Sequence, residues 1–191
     1  MKFRLLLGRR AVAIQADIAD PAAIRRLVDE AVEVLGGLDN LVSAAIAIHD
    51  TIADFKVHDL DALLTVNIRG PVLATNAAIP HPGAGGRVIT IGSPGAERIV
   101  GSTDTVYFMT TSALQSFTRG LAQEFGPRDI TANLVQPGAT DTDMNPADGE
   151  FSDFQRSLNL LGRYGAPAHI AAAAAVTFLA SPAAARSRGR S

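Results

Sequence analysis

Residues 87–93 read RVITIGS and residues 130–138 read ITANLVQPG, two short β-branched, apolar runs closed by glycine, serine or Pro-Gly. Between them Thr105 to Phe125 has the length and composition of a helix, so strand, helix, strand is the reading from which the rest follows. Upstream, Ala11 to Gln15 is a predicted strand, and Asp20-Pro21 supplies an N-cap followed by proline at the first helical position. In that helix Ile24, Leu27, Val28, Ala31, Val32 and Leu35 recur at three- and four-residue spacing until Gly36-Gly37 stops it. A strand over Leu38 to Ser43 follows. A second helical pattern begins near Asp59 with Leu60, Leu63, Leu64, Ile68, Val72 and Leu73, places Asn67 on the side of Leu60 and Leu64, and ends at Pro80 and Pro82. Gly83, Gly85 and Gly86 precede a strand instead of following one, so they form a hairpin-like turn and not a phosphate cradle. Downstream lie a polar loop through Gly149, a short helix near Phe151 to Leu161 and an alanine-rich helix over Ala168 to Ala180. Strands alternating with helices of this length imply an α/β fold with a parallel sheet covered on both faces, the doubly wound plan. Ligands on such sheets sit at the carboxyl ends of strands, which directs attention to the residues after Gln15, Val42, Ile91 and Gln136.

At 191 residues, 47% of them apolar and 19% charged, the chain has material for one core, and residues 1–191 are expected to be a single domain. A net charge of -2 and an isoelectric point near 6.1 argue against a nucleic-acid partner, the short basic tail Arg186 to Ser191 being read as solvated. Without cysteine there is neither a disulfide nor a thiolate metal site. His49, His58, His81 and His169 are scattered without metal-ligand spacing and are read as surface or structural, so no metal is expected. Gly8 cuts off the apolar run Leu5 to Leu7 too early for a signal peptide, and Ile170 to Ala180 is too short to span a bilayer; no membrane partner and a cytoplasmic location are expected.

The stretch from Arg87 to Ser93, then Tyr107, then Ser112-Ala113-Leu114, then Asn133 to Gly138, resembles the short-chain dehydrogenase/reductase family, especially its ketoacyl-reductase-like members. Asp17, Asn67 and Thr142 match further positions, so the resemblance runs from about Leu7 to Pro182. It implies an NAD(P)-dependent oxidoreductase acting on a small-molecule carbonyl or alcohol. Tyr107 matches the family's proton donor and Ser93 the hydroxyl that holds the substrate oxygen. Hydride addition builds negative charge on that oxygen, which calls for both a positioned donor and an acid. Asn67 is read in two ways: as a satisfied structural polar group, or, by resemblance, as the residue that bends its helix and holds a relay water. Asp17, Ser43, Ala45, Pro137, Gly138, Thr140 and Thr142 match positions that contact NAD or NADP. The resemblance also implies a homodimer through the helices carrying Asn67 and Tyr107.

Several departures accompany these matches. The family lysine four residues after the tyrosine is here Thr111. A free phenol titrates near about 10, so bringing it to neutrality requires roughly 4 kcal/mol of differential stabilisation, which a close cation supplies and threonine does not. The only lysines are Lys2 and Lys56, and Arg119 lies roughly 12 Å further along the helix by rise from position 111. The glycine-rich cofactor turn that opens family members has no counterpart, and Ser43-Ala44-Ala45-Ile46 stands where they have Asn-Asn-Ala-Gly, with the branched Ile46 expected to crowd the cofactor. The expected fold is therefore an incomplete Rossmann-like sheet lacking the family's first strand-helix-strand and its last strand. Ala11 to Gln15 would lose its usual neighbour, with Lys2 to Leu7 a replacement strand, and an exposed edge would favour pairing. These losses imply weakened cofactor binding and impaired turnover. The alternatives are a non-catalytic remnant that binds or oligomerises, or a degenerate gene product.

Overall fold

A computed structural model describes residues 3–6, 9–99, 101, 103–167 and 175–185 of the chain. Helix α1, Pro21–Leu35, starts where its cap residues place it: Asp20 is extended and its carboxylate accepts the Ala22 N–H at 2.8 Å. Gly36 closes it in the left-handed region at φ 84°, returning its N–H to the Val32 carbonyl at 2.9 Å. Ala23, Ile24 and Val28 form its buried stripe.

Three strands, β3 (Asn40–Ser43), β4 (Arg87–Ile91) and β5 (Thr131–Val135), make a parallel sheet in that spatial order. The registers run Asn40 to Arg87 and Arg87 to Thr131. Arg87 through Thr90 are all buried, so both faces of central β4 are covered, as expected of a parallel strand. Helix α4, Thr105–Phe125, has the bounds its sequence predicts and packs Phe117, Leu121, Ala122 and Phe125 around Val88, Ile130 and Ala132. The short helix expected near Phe151 to Leu161 is α5, Ser152–Leu158. Of the expected alanine-rich helix, α6 (Ala175–Leu179) is described and contacts β4 and β5. Residues 168–174, with His169, and the basic tail 186–191 lie outside the described residues.

Two expectations are corrected. The predicted strand Ala11 to Gln15 is instead β2, Arg9–Val12, and it pairs antiparallel with β1, Phe3–Leu6, in a separate two-stranded sheet. Phe3–Leu6 is thus a strand but does not extend the parallel sheet. Strand pattern reports a pleated segment and not its partner, and the neighbour two residues away in sequence is the nearest one to pair with. The second correction concerns the helix of Asn67, which is not continuous. It comprises α2 (Val57–Leu64), a π-helical turn (Thr65–Arg69) and α3 (Gly70–Ala78). Leu63 and Asn67 on it are each 0% exposed, whereas Leu64 is exposed. A π turn inserts a residue into the helical repeat and so shifts the face that a 3.6-residue period forecasts.

Candidate active site

The carboxyl ends of β4 and β5, the start of α4 and the segment around α5 enclose one cleft of about 810 Å³. Ser93 follows β4 and caps a single 3-10 turn, Pro94–Ala96, its Oγ accepting the Gly95 N–H at 3.2 Å. Gly95 is required there: a Cβ would stand 2.0 Å from the Phe108 ring. Gln136, just past β5, donates to the Ser93 carbonyl at 2.8 Å, and Ser112 donates to the Ala96 carbonyl at 3.0 Å, so the turn is fastened to both β5 and α4. This sets Ser93 and the Tyr107 phenol on the wall of the same cleft. Burial pushes that phenol above its ordinary value of 10.0; the Ser93 hydroxyl nearby pulls it down, and the negative charge of Asp104 pushes it further up.

Asn67 stands behind this pair and not in the cleft. Its Oδ1 accepts the Ile46 N–H at 2.9 Å, while its Nδ2 donates to the Ile46 carbonyl at 2.9 Å and to Thr110 Oγ1 at 3.0 Å. Both amide hydrogens are therefore engaged. Thr110 Oγ1 in turn donates to the Tyr107 carbonyl at 2.7 Å. The buried amide thus ties the segment after β3 to the helix that carries the phenol. Thr111 is 0% exposed, and its hydroxyl donates to the Phe108 carbonyl at 3.2 Å. The position one turn beyond the tyrosine consequently presents no charge to the cleft.

Pro137, Gly138, Thr140 and Thr142 line the same cleft as Ser93 and Tyr107, and nothing lies within 4 Å of where a Gly138 side chain would begin. Asp17, Ser43 and Ala45 are not on its walls. Asp17 folds into a turn ahead of α1, its carboxylate accepting the Ala19 N–H at 2.8 Å. Ile46 does not line the cleft either; Ala47 does.

Sequence reasoning missed His49 and Asp104. The Asp104 carboxylate bonds to His49 Nδ1, and the imidazole meets the Tyr107 ring edge-to-face with centroids 6.2 Å apart. The bond to Asp104 lifts His49 above its ordinary 6.5, partial burial opposes the shift, and the charge of Asp104 adds to it. Fifty-five residues separate the two, so no local pattern announces them. The remaining walls are largely apolar, with Met144, Phe154, Leu158 and Leu160 among them, and Arg98 also lines the cleft.

A family model described as enoyl-(acyl carrier protein) reductase matches residues 4–191. The chain is 39% identical over 180 residues to the cyclic-di-GMP-binding biofilm dispersal mediator protein of Escherichia coli K12, covering 94% of this chain and 73% of that protein. It is 36% identical to a versicolorin reductase of Emericella nidulans, covering 93% of this chain and 72% of the relative. Among solved structures, a short chain dehydrogenase from Burkholderia cenocepacia J2315 in complex with NADP superposes with a TM-score of 0.92 at 45% identity, over 95% of this chain and 74% of that one.

Proposed function

The chain belongs to the short-chain dehydrogenase/reductase family, and from that premise we propose that it is a nicotinamide-dependent oxidoreductase of a small apolar carbonyl or alcohol, working slowly. The observation that carries this reading is that Ser93 and Tyr107 line one cleft together with Pro137, Gly138, Thr140 and Thr142. Two hydroxyl donors on one cleft wall suit an oxygen on which charge develops. When bound, the nicotinamide supplies or accepts the hydride at the substrate carbon. The four residues after β5 would hold its nicotinamide end, and the open space over Gly138 leaves room for a planar ring there. Asp17, Ser43 and Ala45 stand off the cleft, so the fit is to that end of the dinucleotide. NADP is the cofactor in the Burkholderia relative's structure, and it is the form to test first. A cytoplasmic location, where such cofactors are abundant, goes with this reading.

Slowness follows from the same geometry. Burial and Asp104 both push the phenol up, and Thr111 brings no cation to offset them. Thr111 also favours a second reading, a cleft that binds ligand without turnover. Titrating the protein with NADPH, followed by its fluorescence, and then adding a panel of apolar ketones separates the two. Saturable NADPH binding with slow ketone-dependent consumption supports the oxidoreductase; binding with no consumption for any ketone supports the silent cleft.

A further inference from the structure

Arg156, on α5, and Tyr164 are not among the residues that line the cleft, yet they close a circuit of polar contacts around the segment that does. The Arg156 Nη1 donates to Ser152 Oγ at 3.2 Å and to Asp153 Oδ1 at 2.9 Å, and its Nη2 donates to the Ala147 carbonyl. The same guanidinium lies over the Tyr164 ring, 5.4 Å from its centroid, where a cation is drawn to the π face. The Tyr164 hydroxyl donates to Asn145 Oδ1 at 3.2 Å and so returns the circuit to the loop 141–149. The Ala147 peptide is gripped from both sides, since its N–H donates to the Asp141 carboxylate at 2.9 Å. The backbone holds the two ends of this segment together: the Asp141 N–H donates to the Gly165 carbonyl at 3.0 Å, and the Gly165 N–H to the Ala139 carbonyl at 2.8 Å.

Two pieces of chain supply this side of the cleft, Thr142, Met144 and Asn145 from the loop and Phe154 and Leu158 from α5. Packing between them does not fix its shape. Met144 and Phe154 are 53% and 48% exposed, so neighbours cover only part of each, and dispersion holds side chains only where atoms touch. The ion pair with Asp153, whose side chain is 98% exposed, adds little. The contacts that set loop against helix are therefore those of Arg156 to Ala147 and Tyr164, and of Tyr164 to Asn145. A guanidinium suits this task because its planar fork of donors fixes direction as well as distance. We propose that Arg156 and Tyr164 are positioning residues that set the gap between the loop and α5, and so select the substrate by size. A bulky apolar carbonyl, long enough to reach Met144 and Phe154, depends on that gap, whereas a small ketone held at Ser93 and Tyr107 does not. The inference rests on the oxidoreductase reading above and names the part of the cleft that discriminates among its substrates.

The test compares acetonaphthone, a bulky apolar ketone, with butanone, a small one, in the unaltered chain and in R156Q, R156K and Y164F. NADPH consumption gives KM and kcat for each ketone, and calorimetric titration without NADPH gives the acetonaphthone Kd independently of turnover. Misplacement by about 1 Å costs up to about a hundredfold in a positioned complex, so KM and Kd for acetonaphthone are expected to rise about tenfold in R156Q. The rise is smaller in Y164F, which loses the bond to Asn145 and keeps the ring, and in R156K, which keeps a cation and loses the fork. The kcat for butanone is retained in all three. Y164F removes a single oxygen and keeps the comparison valid if R156Q does not fold. Acetonaphthone that fails to bind the unaltered chain overturns the inference, as does a Kd that these substitutions leave unchanged. A butanone kcat that falls in step with acetonaphthone binding also overturns it, marking a general loss of structure. No turnover with either ketone, together with a Kd that rises in the variants, sinks the oxidoreductase reading and leaves the assignment of this wall standing.

Discussion

At the residue scale, the most informative position is Thr111. Sequence alone registers a missing lysine and invites its restoration. The structure shows a position that is 0% exposed with its hydroxyl bonded back to Phe108. An ammonium introduced there meets a buried site with no carboxylate among the hydrogen bonds of Thr111, and burying an unpaired charge costs several kcal/mol. Thr111→Lys is therefore expected to lower stability by about 3 kcal/mol and to restore no activity; urea unfolding and the NADPH assay measure both. A variant of unchanged stability and raised activity would show that the helix yields space for the cation. Ser93 and Tyr107 were singled out in sequence by the family resemblance of the stretches around them, a strand end and a helix start whose local pattern alone marks only a turn serine and a packing tyrosine. His49 and Asp104 were not, because only the folded chain brings them together. Asn67 was legible as a polar residue on an apolar face, but not as a clamp, since the backbone it grips belongs to Ile46, 21 residues away.

At the scale of elements, the agreement between pattern and structure is best where capping chemistry is strong. Asp20 and Gly36 delimit α1, and β4 and α4 have the ends their sequences predict. It is weakest where pairing or helix register is decided by tertiary partners, as for β2 and the π turn at Asn67. Strand β3 has consequences for behaviour in solution. Its only partner among the described residues is β4, and Val42 on it is 47% exposed. An apolar strand with one free edge is a template for further pairing. Charge on that edge is expected to suppress association, so Val42→Lys should reduce light scattering on storage at unchanged secondary structure. Equal scattering in both proteins would place the sticky surface elsewhere.

At the scale of the whole molecule, β4, β5 and α4 are the common support of the cleft. Arg87 to Ile91 and Thr131 to Val135 set the two strand ends level, α4 packs against both, and Gln136 and Ser112 anchor the Ser93 turn between them. The chain spans 73% and 72% of the length of the two relatives described above, and the Ser93–Tyr107 pair lies within that shared span. The doubly wound plan was legible from alternating strands and helices, whereas the division into a three-stranded sheet and a separate ribbon was not. The most direct measurement is the rate of NADPH consumption with a saturating apolar ketone in the unaltered chain, in Ser93→Ala and in Tyr107→Phe. If this cleft performs the chemistry, consumption is saturable and each substitution, by removing one donor to the substrate oxygen, lowers it about a hundredfold. Consumption that both substitutions leave unchanged would contradict that assignment.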